Sequence, residues 1–186
     1  MITQLVRPSV SSRPARGFTL VEVLVALVVL SIGMLGMARL VLMTSHSNDS
    51  AYLRSQATAL AYEMLENMRA NMSAATLTTG GYNVAMGANP TAPTSCVEAA
   101  CATAQAQASW DVYSWIQHLN AANGLGGGLP NGQGSITVSG NPATATIIVQ
   151  WDDSAAQCVF AASAASALCT AGSPVPMTIT LETSLQ

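Results

Sequence analysis

The sequence predicts an α+β chain, a long N-terminal α-helix packed by its C-terminal half on a small antiparallel β-sheet head. Three observations lead there. No proline occurs between Phe18 and Met72, and apolar residues recur at helical spacing along that stretch. Two-residue alternation of apolar and polar residues is confined to 135–139, 144–151 and 177–185. Between the two patterns lie Gly80-Gly81, Asn89-Pro90 and Pro93, a composition that ends helices and builds loops.

Residues 1–17 hold Arg7, Arg13 and Arg16 and no acid. The next run, 18–38, carries Glu22 as its only charge and is long enough to cross the roughly 30 Å hydrocarbon core of a bilayer. Positive charge ahead of an apolar run places the leader in the cytoplasm and exports the C-terminal portion. A secretory signal would be cut after its apolar region at a small-residue site, and no convincing site stands there, so the hydrophobic segment is expected to be retained.

Beyond a polar patch at 44–50, Leu53, Ala57, Leu60, Ala61, Met64, Leu65, Met68 and Met72 form one apolar stripe. Arg54, Glu63, Glu66 and Arg69 mostly take the other side, and Glu66 can pair with Arg69 across one turn. Gly33 and Gly36 each cost about 1 kcal/mol relative to Ala in a helix interior. Two readings of them stay open: close packing between helices, or a weak point where the helix bends or unwinds.

A second helix is expected over 107–121, with Trp110, Tyr113, Trp115, Ile116 and Leu119 supplying apolar contacts. Residues 124–134 form a turn-rich connector containing Asn131-Gly132. The first two strands present Ile136 and Val138, then Ile147, Val149 and Trp151, with a hairpin-like break at Gly140-Asn141-Pro142. An Ala/Ser-rich loop comes next, and the last strand puts Met177, Ile179 and Leu181 on one face.

The four cysteines, Cys96, Cys101, Cys158 and Cys169, are even in number, which favours disulfides in an exported chain. The local pairing, Cys96 with Cys101 and Cys158 with Cys169, is expected because each pair lies within one loop-like segment. No spacing is C-x-x-C and neither His46 nor His118 stands near a cysteine, so no metal is expected.

Catalytic and cofactor signals are weak. The Gly-rich stretch at 124–134 lacks the Gly-Lys-Ser/Thr ending of a phosphate loop. No serine stands in Gly-x-Ser-x-Gly. Asp152-Asp153 reads as a solvated turn rather than a calcium site, His118 as a surface or satisfied histidine, and Trp110 and Trp115 as core. No enzyme activity and no cofactor are expected. After the leader the cations are Arg39, Arg54 and Arg69 against nine acids, too few to cluster on a phosphate backbone, so nucleic acid is not an expected partner.

Gly17-Phe18-Thr19-Leu20-Val21-Glu22, directly behind the basic leader, resembles the processing motif of type IV pilins and of the pseudopilins of type II secretion. That resemblance implies a type IV pilin fold and cleavage by a prepilin peptidase between Gly17 and Phe18. It also implies methylation of the new Phe18 amine and pairing of Glu22 with that amine on a neighbouring subunit. The physics agrees with such a pairing. An acid in an apolar helix costs about 2.5–3.5 kcal/mol at the bilayer centre, and a buried carboxylate favours the arrangement that supplies a cation. The implied organisation is 1–17 cleaved leader, 18–43 transmembrane and fibre-core helix, 44–72 amphipathic continuation, and 73–186 periplasmic head.

Residues 30–37 and 64–71 are similar to the minor pilins labelled type IV pilus modification proteins, as are Trp115 with Leu119, Leu129-Pro130 and Val149-Gln150-Trp151. This implies a role in starting pilus assembly at the inner membrane, with other minor pilins and the major pilin as partners and a tip adhesin as a further one. A pseudopilin is the competing expectation, and a membrane-anchored periplasmic receptor or enzyme a more distant one.

Overall fold

The computed structural model describes residues 17–97, 100–120, 128–154 and 175–185. Residues 1–16 of the leader, part of the connector, and the loop with Cys158 and Cys169 lie outside the described residues. The chain divides into two compact units, Met1–Leu42 and Met43–Gln186.

Helix α1 runs Leu20–Ala70. Its buried residues are Ala57, Leu60, Ala61, Met64, Leu65 and Met68, the stripe the spacing predicts. The helix stops short of Met72 because Asn71 leaves helical geometry (φ −128°, ψ 56°). The Asn71 side chain instead donates to the Ala104 carbonyl at 2.8 Å and to the Tyr82 hydroxyl at 3.3 Å. Asparagine side chains compete with helical bonding in this way. A short α2, Met72–Ala75, comes after it.

Helix α3, Ala104–Leu119, begins three residues earlier than the apolar pattern implies, because the Thr103 hydroxyl caps it by accepting the Ala106 N–H at 3.1 Å. It ends at Leu119, where the Leu119 carbonyl accepts from Leu129 N–H at 3.0 Å. Just before it, Cys96 and Cys101 are joined by a disulfide.

The sheet is an antiparallel meander of β1 (Gln133–Ser139), β2 (Thr144–Asp152) and β3 (Pro176–Ser184), in that order. Ile136 faces Ile147, and Val149 faces Ile179 across the ladders. Side chains alternate faces along each strand, so Ile136, Val138, Ala145, Ile147, Val149 and Trp151 all reach the core. The free edge of β1 is partly covered by Val84, which exchanges two backbone bonds with Ile136 (3.0 and 2.9 Å). Trp115 connects the layers: its ring is buried and its indole N–H donates to the Leu60 carbonyl at 2.8 Å. Gly134 has no room for a Cβ because the Trp115 ring occupies that space.

Candidate functional site

Gly17, Phe18 and Thr19 precede the first turn of α1. The Thr19 hydroxyl accepts the Glu22 N–H at 3.3 Å, and the Thr19 carbonyl accepts the Val23 N–H at 3.3 Å. Thr19-x-x-Glu22 therefore has the spacing of a capping box, which fixes Glu22 in the first turn, where the helix dipole favours a negative charge. Phe18 is 81 % exposed. Every large apolar side chain from Leu20 to Leu42 is half exposed or more. This is the one described helix long and apolar enough to cross a membrane. Ser31 suits such a setting, because its hydroxyl donates to the Leu27 carbonyl at 2.7 Å and needs no outside partner. No ion pair reaches Glu22 among the described residues.

The head holds a polar network that the sequence did not announce. Asp111, on the buried side of α3, accepts from the Tyr82 hydroxyl at 2.6 Å and from Gln107 Nε2 at 2.7 Å. Burial and the bond to Asp111 raise the Tyr82 hydroxyl above its ordinary value. With Asn71 on the same hydroxyl, the network ties the end of α1, the loop after α2 and α3 together. The only sequence signal was Gln107 and Asp111 one turn apart.

Asp152-Asp153 is not a solvated turn. Asp153 is buried and accepts from the Ser50 hydroxyl at 2.7 Å. Asp152 accepts backbone N–H groups from Ser154 (2.9 Å) and Val175 (3.1 Å), and Asn131 Nδ2 at 3.4 Å. Burial raises its carboxyl, but those hydrogen bonds outweigh burial and leave it below its usual range. The strand-end position brings donors from three segments to these acids, which local composition cannot show. Trp110 is only half-buried, beside Tyr113 at 5.7 Å between ring centroids, so of the two tryptophans assigned to the core only Trp115 is fully there. His118 meets Glu63 at 3.4 Å on the surface. Among the described residues no cluster of His, Cys, Asp and Glu could hold a metal.

Residues 12–38 match the prokaryotic N-terminal methylation motif, and residues 41–113 match the family described as Type IV pilin Tt1218. The chain is type IV pilin-like. The long helix with its three-stranded antiparallel sheet is consistent with the pilin fold. No curated protein and no solved structure matches the chain. The second match ends within α3, so the sheet of this chain is described by its structure alone. The methylation motif implies processing by a prepilin peptidase and assembly with other pilins. It also fits a membrane-anchored pilin that enters the pilus, in a family that is structural rather than catalytic.

Proposed function

We propose that this pilin is a minor pilin of the PilV group that helps start type IV pilus assembly, within a complex of minor pilins that primes polymerisation and stays at or near the fibre tip. The observation that carries the reading is Glu22, the lone charge of the uncovered apolar run 18–38, four residues behind the Gly17–Phe18 junction. Cutting that junction creates an amine at Phe18. In a low-dielectric fibre core the amine and a carboxylate are each costly alone and tolerated together. A neighbouring subunit displaced along the helix axis brings its Phe18 amine to Glu22, so the pair sets the stacking register.

The peptidase acts at the inner membrane and methylates Phe18. Residues 18–43 wait in that membrane before joining the fibre core, and residues 73–186 form a periplasmic head. The Cys96–Cys101 disulfide suits that oxidising compartment, and the loop it closes is offered to partners, among them other minor pilins, the major pilin and a tip adhesin.

The test shears surface pili from a strain lacking this gene and assays secretion of a type II substrate in the same cultures. Lost pili with normal secretion, restored by the wild-type gene, is the expected result. Normal pili with lost secretion would make the chain a pseudopilin. Mass spectrometry of sheared fibres should find a mature chain beginning at methylated Phe18.

A further inference from the structure

Two adjoining clefts of about 470 Å³ and 360 Å³ open on the head, and both are lined by Asn120, Gly132 and Gln133. Together they form one groove between the C-terminal end of α3, the turn at 129–133 and the end of β2. Each lies in the size range of small-molecule sites. The groove is rich in carboxamides: Asn89, Gln117, Asn120, Asn131, Gln133 and Gln150 all line it. Its one charged lining residue among those described is Asp152, and it contains no cation.

The frame around these amides is fixed by close contacts. A Cβ at Gly132 would collide with the Leu119 carbonyl, which seats the turn against α3. Asn131 has a left-handed backbone (φ 49°), and its side chain reaches Asp152. The Asp152 N–H donates to the Pro130 carbonyl at 2.8 Å. Gln133 and Gln150 are cross-strand partners, so their amides lie on one face of the sheet. A groove held in this way loses little freedom on binding.

The lining selects a ligand class. A carboxamide both donates and accepts, and so does a hydroxyl. Phosphates and carboxylates call for Arg or Lys, which the groove's described lining lacks, and Asp152 repels them. Trp151 also lines the larger cleft, although its side chain turns into the core.

We propose that this groove binds a neutral oligosaccharide, with the carboxamides of Gln133 and Gln150 bonding its hydroxyls. The site does not depend on which fibre the chain enters. The test uses the full chain in a zwitterionic detergent without a sugar headgroup. Neutral hexose and N-acetylhexosamine oligosaccharides, their sialylated counterparts and unstructured peptides are titrated by saturation-transfer NMR. A neutral oligosaccharide should bind, and Gln133→Ala and Gln150→Ala should each weaken it about fivefold, the loss of one neutral hydrogen bond. Gln133 is exposed, so its variant should melt like the wild type. No binding by any neutral sugar, equal binding of sialylated ones, indifference to both variants, or binding of peptides in their place would each overturn the proposal.

Discussion

The segment from Leu20 to Leu42 and the head are both built from apolar side chains, yet they differ in who covers them. In the first, every large apolar residue is half exposed or more; in the second, Trp115, Met64, Met68 and Ile147 are completely buried. The glycines mark the same contrast. A Cβ at Gly132 or Gly134 would strike the chain's own atoms, whereas one at Gly33 or Gly36 would meet nothing within 4 Å. Among the described residues no contact requires glycine at 33 or 36. The head is a structure the chain completes by itself, and the segment is a surface that something else must complete.

The largest expected effects test that division from both sides. Trp115→Ala empties a fully buried site and removes the bond to the Leu60 carbonyl, which should cost the head about 3–5 kcal/mol. Near-UV circular dichroism of the full chain in detergent would track the loss as a lower melting temperature. Glu22→Ala should do the reverse, leaving that melt unchanged while incorporation into sheared fibres falls to background. A Glu22→Ala chain whose head melts early would break the comparison. One that enters fibres at the wild-type level would break the account of the carboxylate.

Opening the disulfide is the next effect in size. Cys96 and Cys101 are five residues apart, and the chain-entropy gain for so short a loop is about 2 kcal/mol. The double variant Cys96→Ser, Cys101→Ser should therefore lower the head's melt by several degrees. Folding of the core should persist, because neither cysteine belongs to it. If the melt does not move, the loop is held by other contacts, and its bond serves only the surface it presents.

Much of this division was legible in the sequence because periodicity reports which side of an element is buried. The stripe from Ala57 to Met68 and the alternation at Ile136 and Val138 or Ile147 and Val149 could be read directly. The features that could not be read depended on contacts between segments distant in the chain. Asn71 ends α1 because Tyr82 and Ala104 receive its side chain. Asp153 is buried because Ser50, 103 residues away, meets it. The position of Glu22 was legible for a different reason. Its signal is a charge out of keeping with its neighbours, and no tertiary contact is needed to see that. The groove on the head had no such signal, since its amides come from separate segments and become neighbours only once the turn at 129–133 folds against α3.

The smallest expected effect sharpens the contrast with a functional group common to both regions. Asp152 and Glu22 each carry a carboxylate, but only Asp152 receives hydrogen bonds from its own chain among the described residues. Because its folded carboxyl lies below the usual range, Asp152 contributes stability that is present above its unfolded value and lost as pH falls through its folded one. It is partly exposed to solvent, which screens the effect to under about 1 kcal/mol. Melts of the wild type and Asp152→Asn should thus differ slightly near neutral pH and converge below the ordinary carboxylate range. A gap that stays constant on acidification would mean that Asp152 acts by shape and not by charge. Glu22→Gln should leave the head's melt unchanged across the same range, because under the proposed pairing the charge at Glu22 acts on a neighbouring subunit. A pH-dependent gap for that variant would place Glu22 in the head's own energetics and remove the difference between the two regions.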